Sequence, residues 1–453
     1  MQQLEGPTVF VVHAVDTEGP LDESIDATFQ RLQDIYGYDF PRSEESLRLI
    51  QAGKGDSLGM SAADAESAAI TFSEANLSYN RSWGEIDEMC EEVFGREFRE
   101  AALDSDGQPW KISWFCMDHG DLASNPRSKA LGYGIVHDFY KNAICRFDSD
   151  DEIQFHFHPR ALNGDPLSAS TSYNNNSHHF VHELAQRLLR FEWFPSSFRP
   201  GFHSIRPDSN LFVEQWFPFD YSNQSYDTHT GQPDLDGGRF GDWGKSTKSW
   251  AGYRPAVHDY QSQGELRRTV FRCLNVGTRH RLLTRGHVLE AFQEARERGF
   301  SVLAFTNHDW RDIRPDISWV RSTVASVASD FEDVKFLYSG AEQAGVATVG
   351  NQRVKPNLSL GVTGGAAVIN LDGGEIHGGQ PFFAFQTASG QVFHDNLDVV
   401  KPGLVWTYRF DSATFSIDEI SKIGVGAASR GGTSAKVVTR SSNRLDFLPF
   451  ETA

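Results

Sequence analysis

Polar residues able to do chemistry recur in this sequence where apolar runs stop. The run Val9-Phe10-Val11-Val12-His13-Ala14-Val15 leads into Asp16-Thr17-Glu18-Gly19-Pro20. Residues 111–117 (KISWFCM) lead into Asp118 and His119, and residues 152–159 (EIQFHFHP) carry His156 and His158. Ser197–Gly201 (SFRPG) holds Arg199, with His203 just beyond, and residues 304–309 (AFTNHD) end in His308 and Asp309. Residues i and i+2 of a strand share a face, so Asp16 and Glu18 can point at one place, as can His156 and His158. Two carboxylates held together are costly unless a cation or a shared proton lies between them. Two imidazoles on one face can reach a single ion at a typical ~2.1 Å.

A mixed carboxylate and imidazole set suits a divalent ion such as zinc, with one position left open for water. The ion would polarise a carbonyl and acidify the water. A carboxylate off the metal could take the proton of that water, and a histidine on the opposite side could protonate the leaving group. A lone histidine at a strand end is more often a hydrogen-bonded structural residue. The spaced pair is therefore a better signal than any single position. His178, His179 and His182 also cluster, but beside Asn174–Ser177 at a helix start, where a solvated helix face is expected.

The elements that must position these residues alternate. β-Branched, almost wholly apolar runs read as strands buried on both faces. They are expected at residues 9–15, 111–117, 152–157, 268–275, 301–305 and 334–338, with shorter ones at 197–203 and 216–221. Helical spacing is expected over residues 179–191, 285–299 and 319–331. Strands alternating with helices predict an α/β domain over residues 1–344, with a parallel sheet closed or nearly so. In such barrels the strand C-termini carry the active site. Residues 21–108 interrupt this order with helical patterns at 25–36, 44–51 and 83–102, and are expected to be an insertion or a lid. From residue 345 to 453 short alternating strands separated by Gly and Ser predict an all-β, sandwich-like second domain.

The chain has 453 residues, 39% hydrophobic and 12% aromatic, which is ample for two cores. A formal net charge of −19 argues against nucleic acid or an anionic membrane surface as partner. Four scattered cysteines form no C-x-x-C pair, and free thiols in a reducing compartment are expected. With no leader pattern and no apolar run of about 18 residues, the chain is read as cytoplasmic, without membrane insertion.

In their order these motifs resemble those of the polysaccharide deacetylases, carbohydrate esterase family four, over roughly residues 8–344. DTEGP at 16–20 is similar to the family's first motif, in which one acid is the base and another a metal ligand. Residues 152–159 resemble the histidine motif, and SFRPG resembles the third, whose arginine orients the catalytic acid. FPFDYSNQSY at 217–226 and Tyr253-Arg254-Pro255 resemble groove-lining segments, and residues 304–309 stand where the last motif carries its histidine. The resemblance implies a distorted (β/α)7 barrel of NodB-homology type, a divalent ion (zinc), and removal of an acetyl group from an acylated carbohydrate. Carried onto this sequence, it makes Asp16 the base, His308 the acid and Arg199 the partner of Asp16. Glu18, His156 and His158 become the metal ligands, and Tyr221, Tyr253 and Arg160 contact the substrate, with Trp243 and Trp250 as further stacking candidates. Two departures stand out. Thr17 separates the two acids, and Arg160 occupies the place of a second histidine four residues after His156. Either His158 replaces that ligand or the site is incomplete. The alternatives are a catalytically silent carbohydrate-binding protein, or a hydrolase of another non-peptide C–N bond.

Overall fold

The computed structural model describes residues 6–120, 122, 124–167, 172–226, 241–278, 280–349, 354–440 and 447–449. Seven parallel strands close into a barrel: β1 (Thr8–Thr17), β2 (Ser113–Cys116), β3 (Glu152–Phe157), β4 (Ser197–Pro200), β5 (Phe219–Asn223), β6 (Thr269–Asn275) and β7 (Phe300–His308). β1 closes the ring by pairing with β7 on one edge and β2 on the other. Its edge toward β2 is shared. Thr8–Val12 pair with β8 (Lys335–Ser339), and only Ala14–Thr17 pair with β2. Helices Ile135–Arg146, Ser177–Phe191, Arg285–Arg298 and Arg314–Ala328 make the crossovers.

Alternation along each strand sorts side chains into lumen and outer layer. Phe10, Val12 and Ala14 meet Phe115, Phe219, Tyr221, Phe271 and Val302 inside the barrel. Val9, Val11 and Val15 face out, onto the layer of Phe292, Val320 and Val324. The even-numbered register of β1 therefore carries Asp16 into the lumen mouth at the C-terminal end.

Residue 345, where the sequence texture changes, is not a break in secondary structure. It lies inside helix Ala341–Thr348, which plugs the opposite end of the barrel with Ala341 and Ala344. Gly345 looks like a breaker in the sequence but serves a close approach, since a Cβ there would lie 2.6 Å from the Phe219 ring.

The region beyond this helix forms two antiparallel sheets. Its strands are β9 (Asn357–Thr363), β10 (Ala366–Gly373), β11 (Phe382–Thr387), β12 (Val392–Asp395), β13 (Asp398–Lys401), β14 (Val405–Arg409), β15 (Ile420–Ser429), β16 (Gly432–Arg440) and β17 (Phe447–Pro449). The sheets run β13-β14-β10-β9 and β12-β11-β15-β16-β17, and Ile369 and Trp406 of the first meet Phe383, Phe385 and Ile423 of the second. The alternate residues Phe382 and Ala384 face away, onto Leu184, Leu188, Phe194 and Trp216 of the barrel layer. β11 is thus buried on both faces, and the β region shares a core with the barrel.

The insertion is helical. Helices Ile25–Tyr36, Glu44–Gln51 and Ala62–Thr71 each start at a serine N-cap (Ser24, Ser43, Ser61) and surround their own core of Phe29, Leu32, Ile50 and Phe72. Trp83–Phe94 continues past Gly95 as a separate short helix, Arg96–Glu100, and packs on the barrel rather than in the insertion core. Residues 227–249 are Gly- and Asp-rich and read as an irregular loop in the sequence; of these, 227–240 lie outside the described residues. All four cysteines are free, and no helix among the described residues is long and apolar enough to cross a membrane.

Candidate metal centre at the barrel mouth

Register explains why residues far apart in sequence meet. Asp16 on β1 lies directly opposite His308 on β7, and His156 on β3 opposite Arg199 on β4. Closure of the ring then brings the four strand ends around a cavity of roughly 600 Å3, lined by Asp16, Glu18, His156, His158 and His308.

Asp16 is clamped. Arg199 donates from Nε to Oδ1 at 2.6 Å and from Nη2 to Oδ2 at 2.9 Å. The guanidinium also donates to the Tyr221 carbonyl, at 2.6 Å from Nη1. Burial pushes the Asp16 carboxyl up, but the charge and hydrogen bonds of Arg199, with help from His156, outweigh it and hold Asp16 at about 2. The acid is ionised at every physiological pH.

Glu18 continues the lumen-facing register one step beyond. Its Oε2 accepts from Lys129 Nζ at 3.0 Å, and Oε1 lies 3.7 Å from His158 Nε2. Burial raises the Glu18 carboxyl, yet Lys129 first and then the surrounding histidines hold it well below the usual carboxylate range. His156 Nδ1 lies 2.9 Å from the Arg199 carbonyl, which can only accept, so Nδ1 carries a proton and, in the neutral ring, Nε2 is left with the lone pair. That lone pair faces His158 Nε2 at 2.9 Å. Burial lowers His158 to about 3, so it is neutral.

This donor set fits a divalent ion. One ligand atom from each of Glu18, His156 and His158 lies within 4.8 Å of the other two. A tetrahedral ion with ~2.1 Å bonds separates its ligand atoms by roughly 3.4 Å; the observed 2.9 and 3.7 Å lie on either side of that. A carbonyl on the far nitrogen of His156 is the outer partner that orients a ligating imidazole. Arg160, at the place of the missing histidine, is not part of the cluster. It lines the cavity wall, its backbone N–H donating to Asn176 Oδ1 at 2.7 Å and its Nη1 to His179 Nε2 at 3.0 Å.

His308 stands across from the ligands, with Nε2 4.0 Å from both Asp16 Oδ2 and Glu18 Oε1. Its ring leans on Trp310 at 4.7 Å between centroids. Burial lowers it to about 4, the neighbouring acids offsetting only part of that.

Two expected substrate contacts lie elsewhere. Tyr221 points down the lumen, fully buried, and its hydroxyl donates to the Ala341 carbonyl in the bottom plug at 2.7 Å. It is one lumen layer too low, because β5 reaches the rim only at Asn223. Tyr253 packs outside the barrel, its hydroxyl held by Ser246 and the Tyr260 carbonyl. Trp243 and Trp250 are likewise buried packing residues. His203 and His119 do reach the cavity; His119 Nε2 lies 2.8 Å from the Glu18 carbonyl. His178 is exposed as expected of a solvated face, but His179 turns into the cavity.

Three participants carried no sequence signal for the part they play. Lys129 sits in an aperiodic loop. Asp309 closes the same strand end as His308, yet its carboxylate turns to the Glu18 and Gly19 backbone. Glu183 lines the cavity from a helix whose pattern marks it only as an acid beside a buried stripe. In comparisons with known proteins, no family model and no curated sequence matches this chain.

Proposed function

We propose that this protein is a metal-dependent hydrolase that removes an acyl group from a sugar, as its resemblance to the polysaccharide deacetylases implies. The observation carrying this reading is one arrangement at the barrel mouth. Asp16, ionised under Arg199, lies between a three-residue ligand set and His308 on the neighbouring strand. Glu18, His156 and His158 would hold a divalent ion, with zinc favoured by the imidazole and carboxylate donors. Such an ion supplies Lewis-acid polarisation of the acyl carbonyl and a lowered pKa for water.

The chain's own residues do the rest. Asp16 accepts the proton of the attacking water through the oxygen face left by the Arg199 clamp. Lys129 keeps Glu18 ionised. His308 is neutral in the resting site; with Nε2 4.0 Å from Asp16 Oδ2, it takes up the proton that Asp16 has drawn from the water and, as the imidazolium, delivers it to the leaving nitrogen or oxygen. A silent carbohydrate-binding role is the second reading, favoured by Arg160, which is engaged with His179 rather than with the ligand set.

The test is metal content together with acetate release from acetylated sugars, for wild type and Asp16→Asn. Both proteins should hold about one divalent ion per chain, and the variant should lose roughly 100-fold or more in kcat while still melting cooperatively. A chain that takes up no divalent ion, or a variant with unchanged turnover, would sink the proposal. Saturable sugar binding that ignores chelator would favour the silent reading. Turnover of non-sugar amides with acetylated sugars untouched would favour another C–N hydrolase.

A further inference from the structure

Helix Ser177–Phe191 turns Phe180, Leu184, Leu188 and Leu189 to the apolar core, and Glu183 sits beside that stripe at 3% exposure. Its carboxyl has no hydrogen-bond partner among the described residues, and Oε2 is fully buried. Arg187, one turn along, does not take it. That guanidinium donates from Nε to Asp118 Oδ2 at 3.1 Å and from Nη1 to the Cys116 carbonyl at 2.8 Å. A buried carboxyl without a partner is expensive, and one that lines a cavity points to a group arriving from that cavity. Glu183 lines the same cavity as Asp16, Glu18 and Arg160.

Three charged groups face Glu183: Asp118, Arg187 and Arg160. Arg187 is already bound to Asp118. Asp118 and Arg187 neutralise each other, which leaves the Arg160 guanidinium, donating to His179, facing Glu183. Burial first, then the Asp118 charge, keeps the proton on Glu183 well above the usual carboxylate range. A protonated carboxyl offers one O–H donor and one carbonyl acceptor, which complements a hydroxyl that also donates and accepts. The cavity has room for a small ligand. The insertion contributes Leu21, Arg31 and Tyr79 to one wall and the loop after β3 contributes Leu162 to another, leaving roughly 600 Å3. That volume falls within the ~300–1,000 Å3 of small-molecule sites.

We propose that Glu183 is a recognition residue that hydrogen-bonds a hydroxyl of a small, single-sugar-sized ligand bound in this cavity. The inference rests on the acyl-sugar reading and names its substrate class: a free small sugar derivative rather than the interior of a polymer.

N-Acetylglucosamine and its linear tetramer serve as probes, titrated calorimetrically into the metal-loaded full chain as wild type, Glu183→Gln and Glu183→Leu. The monosaccharide should bind wild type at least as tightly as the tetramer. Glu183→Gln, which keeps a donor and an acceptor, should bind within about threefold of wild type, and Glu183→Leu should bind at least about tenfold more weakly, with metal content unchanged in both. Leu binding as well as wild type, Gln failing as badly as Leu, a clear preference for the tetramer, or no binding of either sugar would each overturn the inference. Sugar binding without acetate release would instead count against the hydrolase reading alone. If Glu183→Leu does not fold, infrared spectroscopy decides. A protonated carboxyl band at neutral pH should vanish in Glu183→Gln and shift when the monosaccharide is added; its absence from wild type would overturn the inference.

Discussion

Asp309 ties down Glu18: one carboxylate oxygen accepts the Glu18 backbone N–H at 2.8 Å, and the other accepts that of Gly19 at 2.9 Å. Tyr140 donates its hydroxyl to the same carboxylate at 2.9 Å, so the turn after β1 is held from β7 and from helix Ile135–Arg146 together. An amide at 309 has one acceptor oxygen, and its NH2 would face a donor. Asp309→Asn should therefore cost about 1–3 kcal/mol of stability and weaken binding of the divalent ion, both measurable by denaturation and metal titration. An equally stable variant with unchanged metal affinity would show that the turn needs no such tie.

Gly201 makes room for His158. A Cβ at position 201 would lie 2.5 Å from the His158 ring, and the next residue, Phe202, holds a left-handed φ of 53° against that ring. Gly201→Ala should push the imidazole off the ligand cluster and lower affinity for the divalent ion by roughly 10–100-fold, with the fold retained by circular dichroism. Unchanged affinity would remove His158 from the ligand set.

Replacing Arg199 by lysine should be severe although the charge is kept. Lysine cannot span both Asp16 oxygens and the Tyr221 carbonyl, and breaking a buried pair costs about 3–5 kcal/mol. Because Asp16 is depressed to about 2 by this pair, its contribution is present above the unfolded value of 3.8 and lost as pH falls through 2. The lysine variant should melt lower at pH 7, and the gap should narrow in strong acid. A constant gap across pH would mean that the pair is not the source of the difference.

Buried neutral histidines set a broader acid limit. Burial lowers His13 and His158 to about 3, and His119 and His308 to about 4. Their folded values lie below the unfolded ~6.5, so the unfolded chain binds more protons in between. Stability should be full above pH 6.5 and fall steadily as pH drops toward 4. His13 is the clearest probe. Its Nε2 pairs with Asn307 Oδ1 at 2.9 Å, and Trp110 Nε1 donates to its Nδ1 at 3.3 Å, a bond that protonation would break. In metal-free protein, His13→Gln should flatten the fall of Tm between pH 6.5 and 4. A slope equal to wild type would refute this assignment.

The β region should melt with the barrel. Gly426 packs so closely that a Cβ would lie 2.7 Å from the Phe194 ring, and Gly424 meets Leu189 at 3.0 Å. Gly426→Val should destabilise the whole protein by about 1–3 kcal/mol in a single calorimetric transition. Two separate transitions would restore the division into independent domains.

Periodicity by itself placed β1, β3 and most of the crossover helices, because burial on one face or both leaves a trace in consecutive residues. It also placed Asp16, Glu18, His156, His158, Arg199 and His308 at strand ends, since a charged residue closing a buried run stands out locally. Spacing alone could pair Asp16 with Glu18 and His156 with His158. The rest was decided by closure of the barrel. Tyr221 is an aromatic on a strand like any other until the helix Ala341–Thr348 fills the lumen beneath it and fixes its depth. Gly345 looks like a domain boundary until Phe219 is found against it. Lys129 at Glu18, Asp309 at the Glu18 backbone and Glu183 in the cavity wall take part through contacts or a shared cavity across long stretches of chain. No local pattern records such relations, because they come into being only when β1 meets β2 and β7 and the ring is shut.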